Sequence, residues 1–166
     1  MILGLSVYAF TVLHVIISLI GIAAGVVVVH AMLRSESAGG WTAIFLAATV
    51  LTTLTGFLFP ITVFTPALGV GIISTVTLAI ALVALYVFHL AGPWRLAYIA
   101  SALFAFYLNA FVAVVQAFQK IPWVHALAPT QTEPAFVAAQ TLLLILFAVV
   151  GFLVARRFHP PASFAA

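Results

Sequence analysis

Five stretches of continuous apolar sequence, each about 20 residues or longer, constrain this chain more than anything else in it. A helix needs about 20 apolar residues to cross a hydrocarbon core about 30 Å thick. The runs at about 6–33, 41–59, 67–90, 94–118 and 134–158 each meet that length. They lack the in–out alternation that a membrane β-barrel requires. The reading is all-α: a polytopic membrane protein made of five transmembrane helices. The chain is 67% hydrophobic and 4% charged, whereas soluble domains carry about 25% charged residues. A surface so poor in charge belongs against lipid. Residues 1–158 form one bundle, and 159–166 read as a short polar tail. The first run has no basic n-region and is too long for a signal-peptide core, so it reads as an uncleaved span.

Basic residues in such a chain report orientation first. Five spans place Arg34, Arg95, Arg156 and Arg157 on one face and Lys120 alone on the other. That bias puts the Arg face in the cytoplasm, with the N-terminus out and the C-terminus in. A kink at PITVFTP inside one longer span would break the alternation. The expected location is the inner membrane of a bacterium, with the lipid bilayer as partner and no role for nucleic acid. Trp41, Trp94 and Trp123 fall near span ends, as interfacial aromatics do. Gly21 and Gly25 form a GxxxG, and Gly69, Gly71 and Ser74 offer similar small surfaces. These suit close packing within the monomer or, alternatively, a homo-oligomer face.

The spacing of polar residues inside the spans suggests where a site lies. On the fourth span Tyr98, Asn109 and Gln116 fall within about 20° of one line, with Ala102 and Ala105 beside it. His14, Thr52, Thr55, Gln116 and Gln140 all lie in the half of the bundle away from the Arg face. The candidate ligand-binding set is therefore His14, Asn109, Gln116 and Gln140, with Tyr98 on the same stripe and Glu133 in the loop above. The competing account makes these groups ordinary interhelical hydrogen bonds, each worth about 0.6 kcal/mol. Ser18, four residues after His14, is expected to bond back to the carbonyl of residue 14. The loop from Gln119 to Glu133 holds Lys120, His125 and Glu133 and reads as a lid. Within it Thr130 and Glu133 have capping-box spacing at the start of the last helix.

Catalytic sets are thin. There is no Asp and no Cys, and Glu36 and Glu133 fall on opposite faces, which excludes paired-carboxylate and thiolate chemistry. The chain reads as non-catalytic, and no cofactor is expected. His30 and His89 share a depth near the Arg face and are the weak metal candidates, as the two ligands of a b-type haem. His14 and His30 differ by about 24 Å along one helix and cannot share a metal. The run LNAFVAVVQAFQKIPWVHALAPTQTEPAFVAAQ, with TGFLFP and LHVIISLIGIAAG before it, resembles small bacterial integral-membrane proteins with no established activity. The resemblance implies a shared reason for Asn109, Gln116, Thr130, Gln131, Glu133 and Pro134, and it implies no activity. Function then falls among three readings. The chain binds a small amphipathic molecule such as a quinone or lipid, or serves as an accessory subunit of a membrane complex. Otherwise it carries one haem, or it acts as a small channel or transporter.

Overall fold

In the computed structural model, which describes residues 1–60 and 63–159, every long apolar run becomes a helix. These are α1 (Val7–Leu33), α2 (Gly39–Phe57), α3 (Pro66–Leu82), α4 (Trp94–Lys120) and α6 (Pro134–Arg157). A single turn, α5 (Pro122–His125), lies in the loop before α6. The described residues contain no strand, only an isolated bridge between Ile2 and Leu5. The α3 run continues through a π-helical turn, Val83–Val87, so that five helices are long and apolar enough to cross a membrane. Residues 61–62 of the PITVFTP linker and 160–166 of the tail lie outside the described residues.

Local chemistry accounts for most boundaries. Ser6 caps α1 by accepting from the Ala9 N–H at 3.1 Å, and Thr65 caps α3 by accepting from Leu68 at 3.2 Å with Pro66 next to it. α1 ends in a Schellman turn: Glu36 N–H donates to Ala31 and Ser35 N–H to Met32. Ser35 occupies the left-handed position (φ 57°) where glycine is usual. The third span ends earlier than expected, in a tight turn where His89 and Leu90 both have positive φ. There Leu90 N–H reaches back to Ala84, and Phe88 stacks on Trp94 at 3.9 Å.

The helices run alternately up and down. Thr53 meets Ser74 and Phe57 meets Gly71, so α3 folds back along α2 and the linker is a true reversal. Around the bundle α1 packs on α2, α2 on α3, α3 on α4 and α4 on α6, and α6 also contacts α1. α4 is the hub, buried along about half of its apolar stretch, whereas α6 is scarcely buried. All four arginines fall at one end. There the α6 C-terminus is clamped: Arg95 Nη1 donates to the carbonyls of Ala155 (3.1 Å) and Phe158 (2.7 Å). Ser35 Oγ accepts from the His159 N–H at 2.8 Å and donates to Arg157 O at 2.9 Å. Carbonyls that a helix end leaves unpaired are thus met by a cation and a hydroxyl from two other helices.

Candidate functional site

Threonine hydroxyls on α2 set up the polar interior. Thr49, Thr52, Thr53 and Thr55 each donate to the carbonyl four residues earlier, at 2.7–2.9 Å. A hydroxyl has one proton, so each of these oxygens is left as an acceptor toward its neighbours. Buried Ser74 on α3 lies within hydrogen-bonding distance of Thr53 Oγ1, at 3.2 Å. His14 Nδ1 lies 2.7 Å from Thr55 Oγ1. The Thr55 hydroxyl has Leu51 O at 2.7 Å as an acceptor, and with its single proton placed there the neutral His14 ring is assigned as the Nδ1–H tautomer. Nε2 is then the ring's acceptor nitrogen. The imidazole is half-buried and packs edge-on against Phe59, with centroids 5.4 Å apart.

One turn deeper, Ser18 does not bond back to its own helix as expected. Its hydroxyl donates to Asn109 Oδ1 at 2.7 Å, and Asn109 Nδ2 reaches Ser18 O at 3.3 Å. A buried amide on α4 offers a better acceptor than a helical carbonyl that already holds its own N–H. Gly21 makes this approach possible, since a Cβ there would lie 3.4 Å from Asn109 Nδ2 and 3.3 Å from Thr49 Oγ1. At Gly25 a Cβ would lie 3.0 Å from the Phe106 ring. Both glycines of the GxxxG serve packing inside the monomer.

The remaining candidates separate. Tyr98 is fully buried in the Arg-bearing half, hydrogen-bonded to Thr42, and the seam beside it leaves no water-sized space. Gln116 continues the Tyr98–Asn109 line but is exposed. Past Asn109 the α1 contacts turn toward α2, where Phe10 and His14 lean on Phe59. Gln140 Nε2 donates to Phe111 O at 3.3 Å, leaving Oε1 buried without a partner. His14 and Asn109 therefore share a continuous α1–α2–α4 seam through Ser18, Gln140 sits between α4 and α6, and Tyr98 occupies the other end. His30 and His89 are both exposed, and α2 stands between α1 and α3. The structure does not bring these two rings to one interior site. Among the described residues no three histidine or carboxylate side chains gather to hold a metal.

The loop from 121 to 133 packs on α4 and α6, where Phe118, Val124 and Ala128 form a small core with Phe136. His125 Nδ1 donates to Phe118 O at 3.0 Å, so the ring turns to its own helix end and not toward His14. Gln131 Nε2 donates to Val115 O at 3.1 Å. Glu133 forms one half of the anticipated capping box, its carboxylate accepting from Thr130 N–H (3.0 Å), Thr130 Oγ1 (2.9 Å) and Thr132 N–H (3.0 Å). The helix, however, begins at Pro134 with Glu133 itself as N-cap, and no side chain caps its amides. Partial desolvation pushes the Glu133 carboxyl up, but these hydrogen bonds outweigh it and hold the group below the usual carboxylate range. It orders the loop that leads into α6.

Sequence reasoning missed Ser18 as the partner of Asn109, Ser35 as a tether and Arg95 as a helix cap. Ser18 could have been found, because it lies close to Gly21 and Gly25 on the face of α1 that tolerates close approach. Comparison with known proteins adds no relative: no family model, curated protein or solved structure matches the chain.

Proposed function

We propose that this chain is a non-catalytic, multi-pass protein of the bacterial inner membrane, with its Arg-bearing end in the cytoplasm. At the other end it holds a small amphipathic molecule that presents a hydroxyl group, a quinol or a hydroxylated lipid headgroup. The single observation that carries the binding part is the Thr55–His14 pair. With the Thr55 proton assigned to Leu51 O, Nδ1 is the donor and Nε2 of a half-buried imidazole is the acceptor beside an aromatic wall. An acceptor nitrogen suits a quinol hydroxyl better than a quinone carbonyl, which would itself need a donor. Support for the orientation comes from the gathering of Arg34, Arg95, Arg156 and Arg157 at one end of the bundle. Packing without water-sized space beside Tyr98 weighs against a continuous water path along that seam. The exposure of His30 and His89 weighs against the haem reading.

Equilibrium binding of a short-tailed ubiquinol to the purified protein in detergent tests the anchor. Replacing His14 by Ala removes one hydrogen bond to the ligand, and about a tenfold loss of affinity is expected while the melting temperature changes little. Equal binding by wild type and His14→Ala, with both folded, would reduce the polar seam to helix packing.

A further inference from the structure

A second feature of the bundle lies far from His14. Between α4 and α6, on the half nearer the arginines, a groove of about 420 Å³ opens on the outer surface of the bundle. Its walls are Leu103, Tyr107 and Phe147, and its floor on α6 is kept low by Ala148, Gly151 and Ala155. At Gly151 a Cβ would meet Leu103 Cδ1 at 3.7 Å, so the small residue there sets the width of the groove and is not forced by contact. The volume falls in the range of about 300–1,000 Å³ typical of small-molecule sites. Along α6 the lining runs from Leu144 to Ala155, about 17 Å of helix axis. That is close to half of a hydrocarbon core about 30 Å thick.

The groove therefore spans one leaflet and stops. The face of α6 beside the groove is exposed along the whole helix, so a second helix is the rival occupant, and the one-leaflet length of the groove matches an acyl chain instead. Its mouth is also cationic. Arg156 lies with its guanidinium carbon 5.4 Å from the centroid of Phe152, a wall of the groove. Arg95 reaches over Ala155, at the end of the floor, through Nη1. Neither α4 nor α6 contains an acidic residue, and Glu133, at the start of α6, stands at the opposite end. Glu36, at the same end of the bundle, is paired with Arg34 at 2.8 Å.

We propose that this groove is a binding site for one anionic phospholipid, with an acyl chain laid along α4 and α6 and the phosphate held at Arg156 and Arg95. The site depends on the membrane location proposed above but not on the His14 anchor. Arg binds phosphate through a planar set of donors, and a basic residue at a charged membrane surface contributes about 1 kcal/mol.

Native mass spectrometry of the full chain, with dioleoylphosphatidylglycerol and dioleoylphosphatidylcholine added in separate titrations, tests this directly. One phosphatidylglycerol should be retained and phosphatidylcholine should not. Arg156→Gln should weaken retention roughly fivefold, Gly151→Phe should abolish it by filling the groove, and Arg34→Gln should leave it unchanged. Should Gly151→Phe fail to fold, Ala148→Leu blocks the same groove with a smaller change. Equal retention of the two lipids, or full retention by a folded groove-filling variant, overturns the proposal. A dimer that Gly151→Phe dissociates also overturns it, because a second copy then covers the groove. If His14→Ala binds ubiquinol normally while Arg156→Gln still loses phosphatidylglycerol, the His14 anchor fails and the lipid site stands.

Discussion

Individual side chains in this protein work by deciding where single protons sit. With the Thr55 proton assigned to a helix carbonyl, His14 donates to Thr55 and keeps Nε2 as an acceptor. Ser18 gives its proton to Asn109 and so joins α1 to α4. Glu133 shows the same economy outside the membrane helices and makes a pH prediction possible. Its carboxyl is held below the unfolded value, about 4.3, by the Thr130 and Thr132 donors. A depressed pKa means that the ordering it provides is complete above about pH 4.3 and is lost as pH falls through the folded value. The Thr130 and Thr132 amide resonances should be constant from pH 7 to pH 5 and shift only below that, and Glu133→Gln should remove the titration. The buried face of α4 was legible at this scale, as the Tyr98–Ala102–Ala105–Asn109 line shows. Partners were not: helical spacing puts Gln116 on the same line as Asn109, yet Gln116 is exposed.

Whole helices depend on small residues and on well-met ends. Phe106 cannot yield to a larger residue at Gly25, because it is held edge-on between Phe45 (5.7 Å) and Phe147 (5.0 Å). Gly25→Ala places a methyl 3.0 Å from that ring and should cost about 1–3 kcal/mol by overpacking. Gly151→Ala, at 3.7 Å from its nearest neighbour, should be close to neutral. Thermal unfolding of the two variants in the same detergent separates them, and equal melting temperatures would contradict the packing assigned to the GxxxG. The existence and order of the helices followed from apolar length alone. Their ends followed less well: the third span closes in a local turn, with Leu90 N–H on Ala84 O and Phe88 on Trp94, and the Arg95 cap on α6 joins segments distant in sequence.

At the scale of the whole molecule, apolar length and the placement of the arginines carry most of the account. Five helices alternate in direction, one end is closed by Arg95, Ser35 and the α6 terminus, and the other end carries the loop with Glu133. Composition predicted a membrane bundle, and the structure supplies five helices of sufficient length. The direction of insertion is open to direct measurement by labelling. The chain contains no cysteine, so single cysteines can report sidedness without background. Thr132→Cys and Ser37→Cys place exposed thiols at opposite ends. In intact cells an impermeant maleimide should label Thr132→Cys and spare Ser37→Cys until the membrane is opened. Labelling of Ser37→Cys alone in intact cells, or of both positions equally, would contradict a five-span bundle with its arginines in the cytoplasm.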